Sequence, residues 1–399
     1  MLNRVPPYLF VLFVFLSACG SEPPATGETA AEEALTTAFV ANPQPVPERE
    51  VPPLPIGAEA PDFNLPGVDG NFYSLADFSD AEVLAIIFTC NHCPTAQAYE
   101  ERIKQIVLDY GDKGVQVVAI SPNSPISLLP EECGYTDLAD DYQDMVIRAR
   151  DQAFNFPYLY DGDTHAASLP YGPVATPHAY VFDRARKLRY RGRLDGSEKP
   201  GTANAEDLRA ALDALLAGEK VPTPETKTFG CSVKWAWKTE YKEQVEEEWK
   251  NREVALEEID VAGVQALVKN EDSDKLRLIN VWATWCGPCI IEYPDFLLLQ
   301  RMFGARDFEF ISISADKLEQ KAKAMNFLEE KNSGVSNYIF TGSDTYALIE
   351  AIDPEWNGAL PYTLLVAPGG ERVYAQQGTA DMLELKQVIV EHPMIGRYY

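Results

Sequence analysis

Positive charge is scarce in this chain. Only 34 Lys and Arg stand against 61 Asp and Glu over 399 residues, a net charge of -27. No basic surface is on offer, which argues against nucleic acid or an anionic membrane surface as the main partner; an acidic surface also simply keeps a protein soluble. The apolar run from Tyr8 to Leu16 falls short of the roughly 20 residues that a spanning helix needs. Cysteine is sparse as well, seven in all, and four of the seven fall into two Cys-x-x-Cys pairs. What is abundant is ordinary globular material. Hydrophobic content of 46% and aromatic content of 11% exclude a largely disordered chain, and the length is enough for two domains with separate cores.

The pairs are Cys90-Asn91-His92-Cys93 and Cys286-Gly287-Pro288-Cys289. The β-formers Leu276 to Trp282 lead into the second pair, and Ile290, Ile291, Phe296, Leu297, Leu298 and Leu299 after it fit a buried helix. Cys286 then lies at a helix N-terminus, where the dipole and free N–H groups favour thiolate over thiol. Cys289, three residues on, is placed to resolve a mixed disulfide. Zinc normally takes four ligands, and this half of the chain has no second Cys-x-x-Cys or His pair, so no metal is expected. In the first pair, His92 stands where the second has Pro288. An imidazole there favours the Cys90 thiolate, which makes the Cys90/Cys93 disulfide the stronger oxidant. Cys133 and Cys231 are left over: they could pair, stay buried as small hydrophobes, or react, a structural thiol being the preferred reading of Cys231.

Five segments follow from the composition. Residues 1–19 are a targeting segment, in which Leu16-Ser17-Ala18-Cys19 resembles a bacterial lipobox. That resemblance implies a lipidated Cys19 and a membrane anchor outside the cytosol, with inner and outer membrane both left open, although Gly20 lacks the aspartate associated with inner-membrane retention. Residues 20–54, rich in Ala, Pro, Glu and Thr, read as an extended tether. Residues 55–221 form a first domain, 222–253 an aromatic-bearing connector that packs on a domain, and 254–399 a second domain. Within the first, Val83 to Phe88 and Val115 to Ile120 read as buried strands, Ala96 to Tyr110 and Asp141 to Asn155 as helices, and Thr176-Pro177 leads into a strand at Ala179. The second repeats the order: strand Leu276 to Trp282, dithiol and helix, strand Phe308 to Ile313, helix Leu318 to Lys331, then Leu360-Pro361 before another strand.

On this order of strand, Cys-x-x-Cys, helix, X-Pro and hairpin, the first domain resembles the redoxin (AhpC/TSA-like) branch of the thioredoxin superfamily. Trp285-Cys286-Gly287-Pro288-Cys289 is similar to the thioredoxin active site, and Cys289-Ile290-Ile291-Glu292-Tyr293-Pro294 resembles the TlpA/ResA-like branch. The resemblance implies two tandem thioredoxin-like α/β domains, each a mixed sheet flanked by helices, with no cofactor beyond the cysteines. It implies an extracytoplasmic, lipid-anchored thiol-disulfide oxidoreductase acting on protein thiols and disulfides, apocytochrome c among the candidate partners. Cys286 and Cys90 would attack, Cys289 and Cys93 resolve, cis-Pro177 and cis-Pro361 shape substrate contacts, and His92 and Glu292 tune the sites. A carboxylate at Glu292 would raise the Cys289 pKa and accept its proton. Two competing readings remain. A thiol peroxidase in the first domain would need Thr-x-x-Cys, but Thr89 directly precedes Cys90. A binding module that kept the fold without the chemistry would not need both dithiols intact.

Overall fold

The computed structural model describes residues 51–397, so the signal segment, Cys19 and the tether up to residue 50 lie outside the described residues. A short hairpin of β1 (Asn64–Pro66) and β2 (Phe72–Ser74) precedes the first sheet. That sheet contains β3 (Val83–Phe88), β4 (Val115–Ser121) and β5 (Tyr158–Tyr160); after β6 (Ala175–Thr176) come its last strands, β7 (His178–Phe182) and β8 (Leu188–Gly192). The order is β5-β4-β3-β7-β8, with β3 parallel to β4 and antiparallel to β7. All six residues of β3 are buried, as a strand covered on both faces requires. The cover comes from α1 (Pro94–Tyr110), α2 (Tyr142–Asp151), the single turn α3 (Ser168–Tyr171) and α4 (Glu206–Leu216).

After β9 (Cys231–Ser232) and α5 (Glu240–Lys250), the second domain builds a six-stranded sheet. Its strands are β10 (Glu257–Ile259), β11 (Leu276–Trp282), β12 (Phe308–Ser314), β13 (Ser336–Phe340), β14 (Tyr362–Val366) and β15 (Arg372–Gln377), ordered β10-β13-β12-β11-β14-β15. Its helices are α6 (Val261–Lys269), α7 (Gly287–Phe303), α8 (Lys321–Glu330), α9 (Thr345–Ile352) and α10 (Met382–Glu391). Both domains are mixed α/β with one central sheet, the fold class expected. The helix expected over Leu318 to Lys331 is split: a 3-10 turn, Leu318–Gln320, precedes α8. β5 and β10, absent from the sequence reading, are three-residue edge strands with too few alternations to show a period.

Both domains belong to one compact unit. A loop of the first domain, ending in the 3-10 turn Pro130–Cys133, packs on α7 of the second. Leu128 and Cys133 join the same core cluster as Met302 and Phe303. Burying each such apolar side chain contributes about 1.5–3 kcal/mol, and the partly buried Arg301–Glu131 pair (2.8 Å) lies beside them. Gly134 is needed at this seam, since a Cβ there would sit 2.8 Å from the Met302 carbonyl oxygen. Cys133 donates to the Leu129 carbonyl at 3.7 Å and is buried. It is a core residue of the seam.

The connector splits between two roles. Residues 222–238 run along the first domain, while α5 turns its Glu246 to Arg301 of the second, at 2.9 Å. The Ala236 N–H donates to His165 Nε2 at 2.9 Å, and the His165 ring packs edge-on against Trp235 and Trp237. Burial holds the His165 imidazole down to about 4. Its folded value lies below the free value near 6.5, so this contribution is present above 6.5 and is lost as pH falls toward 4, by up to roughly 3 kcal/mol. Acidification from pH 7 to 4 is therefore expected to loosen the connector, visible as a shift in Trp235/Trp237 fluorescence that His165→Asn moves or removes. No helix among the described residues is long and apolar enough to cross a membrane.

Candidate active sites

Each dithiol stands at a strand-to-helix turn, β3 to α1 and β11 to α7. In each domain the X-Pro bond singled out from sequence, Thr176–Pro177 and Leu360–Pro361, is cis. The helices begin at different points. In the second domain Cys286 is the N-cap of α7, and its Sγ accepts from the Cys289 N–H at 3.3 Å. In the first, Pro94 takes the first helical position and the N-cap is Cys93, whose Sγ accepts from the Ala96 N–H at 3.4 Å.

This shift places Cys93, rather than Cys90, at the helix N-terminus of the first domain. Asp140 reaches in from the loop before α2 and accepts from the N–H groups of Asn91 (2.8 Å) and His92 (2.9 Å), from Asn123 Nδ2 (2.8 Å), and pairs with His92 Nδ1 at 2.5 Å. Burial opposes charge on both partners, yet their mutual attraction wins: Asp140 is held below the usual carboxylate range and His92 above the usual imidazole range. Burial alone would push the Cys93 thiol up. Hydrogen bonds with the thiols of Cys231 and Cys90, the His92 charge and the Ala96 amide together hold it well below the ordinary thiol range. Cys90 goes the other way, pushed up by burial, by its hydrogen bond with Cys93 and by the Asp140 charge. Its Sγ lies 3.1 Å from Thr176 Oγ1. The helix N-cap, the N–H donors and the His92 charge thus favour charge on Cys93, against the Thr176 carbonyl oxygen 3.3 Å away, to which the protonated Cys93 thiol donates. Cys90, His92 and Asp140 place donor atoms within 4.8 Å of one another, but Asp140 is already engaged by four donors, so the group is a satisfied ion pair. Asp140→Ala would leave the His92 ring and the Asn91, His92 and Asn123 donors buried without their acceptor and is expected to cost about 3–5 kcal/mol in urea denaturation. A loss below about 1 kcal/mol would show that the pair does not hold this site together.

In the second domain Cys286 and Cys289 are joined by a disulfide, Cα–Cα 5.3 Å. Trp285 beside them is 64% exposed. The preceding turn is pinned by Asp316, which accepts from the Thr284 N–H and Oγ1, both at 2.8 Å. Glu292, one helical turn after Cys289, is buried and accepts from the Ala380 N–H at 3.1 Å. A longer contact of 3.5 Å links it to Asn280 Nδ2, which also donates to Thr363 Oγ1 at 3.2 Å, across the β11–β14 register from the cis-Pro361 turn. Burial, only partly offset by these donors, raises the Glu292 carboxyl to about 7. The first domain has Ala96 at the matching position. One centre therefore carries a buried cation against its thiolate, the other a buried acid near its second cysteine.

Sequence reasoning placed both pairs of cysteines, both prolines, His92 and Glu292. It missed Asp140, Asn123, Thr176, Asn280 and Asp316, polar residues distant in the chain with no motif around them. It also missed that Cys231 lies against Cys93, its N–H 3.4 Å from Cys93 Sγ.

Residues 56–191 match the AhpC/TSA family and residues 244–388 match Redoxin. Thioredoxin of Coprinus comatus is 28% identical over 93 residues, 22% of this chain and 88% of that protein. The thiol-disulfide oxidoreductase ResA of Bacillus subtilis is 31% identical over 101 residues, 25% of this chain and 52% of ResA, so the chain spans about half of that relative. An uncharacterized conserved protein from Geobacillus kaustophilus is 38% identical over 48% of this chain and 98% of its own, with a TM-score of 0.41. With two related families accounting for most of its folded length, the chain carries an AhpC/TSA-family domain followed by a redoxin-family domain, both thioredoxin-like, and is a thioredoxin-like oxidoreductase.

Proposed function

We propose that the protein exchanges thiols and disulfides with protein partners outside the cytosol, the second domain as reductant and the first as oxidant. The observation that supports this most is the opposite proton environment of the two dithiols: a buried imidazolium–carboxylate pair beside Cys93, a buried Glu292 one turn from Cys289. In the second domain the Cys286 thiolate attacks a substrate disulfide, and Cys289, giving its proton to Glu292, resolves the mixed disulfide. Cis-Pro361 would shape the substrate contact of the second dithiol, whereas beside the first the Thr176–Pro177 segment is covered by the connector strand β9. Lipidation at Cys19 would tether both domains to a membrane, with the acidic surface facing soluble partners. The similarity to ResA supports a protein-disulfide substrate for the redoxin domain, with apocytochrome c as one partner to test.

Cys289→Ser is the decisive variant. It keeps the attacking thiol and lacks the resolving one, so partner proteins are expected to accumulate on Cys286 as adducts that dithiothreitol releases and Cys286→Ser abolishes. If no thiol-sensitive adduct forms in extracts of the host, protein-disulfide exchange by this domain is excluded. The AhpC/TSA match keeps the peroxidase reading of domain 1, reduced by domain 2, as an alternative. Against it stand the missing Thr-x-x-Cys pattern and the raised Cys90 thiol. Consumption of hydrogen peroxide by a Cys286→Ser/Cys289→Ser variant at rates above free thiol would restore it.

A further inference from the structure

Cys231 is 138 residues from Cys93 in sequence, yet its strand lies over the first dithiol. β9 pairs antiparallel with β6, Thr176 opposite Cys231 and Ala175 opposite Ser232. The edge of the chain that faces Cys90 and Cys93 is therefore taken by the protein's own connector. The seat is built. Gly230, at φ 128°, passes so close that a Cβ would lie 2.0 Å from the Thr176 carbonyl oxygen. The Thr228 hydroxyl donates to the Pro177 carbonyl at 2.9 Å, and the Lys234 N–H to Asn123 Oδ1 at 2.9 Å, which joins the strand to the Asp140 network.

Three sulfurs meet under this strand. Cys93 Sγ accepts N–H hydrogen bonds from both Ala96 and Cys231 at 3.4 Å, and the Cys231 thiol is itself hydrogen-bonded to it. Cys90, Cys93 and Ala96 form a small buried cluster against which Cys231 packs. Cys90 is 2% exposed and Cys93 0%, whereas Cys231 is partly exposed. A partner protein in solution thus meets Cys231 before either member of the dithiol.

We propose that Cys231 is the third redox thiol of this centre, which carries the oxidising equivalent of the buried Cys90–Cys93 disulfide to the surface as a Cys93–Cys231 disulfide. The proposal rests on the reading of domain 1 as a working dithiol. Cys231 Sγ attacks Cys93 Sγ; the Cys231–Cys93 bond forms, the Cys90–Cys93 bond breaks, and Cys90 takes the proton that Cys231 gives up. No electrons enter or leave in this step. A partner thiolate then attacks Cys231 Sγ and expels Cys93, the sulfur that the helix N-cap and two backbone N–H groups stabilise as a leaving thiolate. A second thiol of the partner displaces Cys231. The partner ends oxidised by two electrons, and the centre holds three thiols.

The test is disulfide mapping of the full chain after brief oxidation with diamide, acid quench and alkylation, with the Cys286–Cys289 peptide as internal control. Wild type is expected to yield both Cys90–Cys93 and Cys93–Cys231 linkages, and Cys90→Ser only Cys93–Cys231. Cys231→Ser is expected to keep Cys90–Cys93 but to oxidise reduced, unfolded ribonuclease at least about tenfold more slowly. Cys90–Cys93 as the sole linkage in wild type, with an unchanged rate in Cys231→Ser, would overturn the third-thiol role and leave the dithiol standing. Failure of Cys90–Cys93 to form in either protein would overturn the dithiol reading and the relay with it.

Discussion

Titrated against glutathione in the full chain, with each pair read out by differential alkylation, the Cys90/Cys93 couple is expected to lie roughly 60 mV or more above Cys286/Cys289, about a hundredfold in the exchange constant. The reason lies in which redox form each site stabilises. A dithiol is a stronger oxidant when its reduced form is held as thiolate, and Cys93 has an N-cap position, two N–H donors and the His92 charge for that purpose. Cys286 has its N-cap and one N–H, with Glu292 in place of a cation one turn beyond Cys289. His92→Ala removes the charge but leaves both cysteines and the helix start in place, so it should draw the two potentials together. Asp140→Asn should do the same, because burial alone would discharge His92. Equal potentials in the wild type, or the reverse order, would sink the assignment of opposite roles to the two domains.

How much of this was readable in the chain depends on how local the signal was. β3 is a continuous buried apolar run and β11 a fully buried run of β-formers interrupted by Arg277 and Asn280, and their bounds follow from the residues themselves. The dithiols and the X-Pro bonds are short motifs, so the positions of Cys90, Cys93, Cys286, Cys289, Pro177 and Pro361 were legible too. The environment that distinguishes Cys93 from Cys90 was not. It turns on where α1 starts, which depends on Pro94 at the first helical position and on Asp140 taking up the Asn91 and His92 amides from nearly 50 residues away. Nothing within one turn of Asp140 marks it as a ligand of His92. Cys231 was visible only as a spare cysteine, because a two-residue strand such as β9 has no period and its register against Thr176 is set by Gly230, Thr228 and the tryptophans around His165. Glu292 is the opposite case: helical spacing from Cys289 placed it, while its burial and its ties to Ala380 and Asn280 are tertiary.

Glu292→Gln is expected to slow disulfide reduction by the second domain about a hundredfold at pH 8, the size of one general base. The wild-type rate should rise through an inflection near pH 7, where the raised carboxyl loses its proton and becomes able to take one from Cys289; the variant should lack that inflection. Stability moves in the opposite sense. The folded value of Glu292 lies above its ordinary 4.5, so its contribution is fully present below 4.5 and is lost as pH rises through about 7, a loss of roughly 3 kcal/mol. A glutamine does not ionise, so the variant should show a flatter dependence of denaturation midpoint on pH between 5 and 8. A slower enzyme that is no less stable at pH 8 is what a proton acceptor predicts. A structural residue predicts a slower enzyme that is also less stable there, with its pH inflection intact. Burial of an acid that would rather be charged therefore costs the second domain stability at the pH where it works, and that cost places a base of matched proton affinity one helical turn from the resolving thiol.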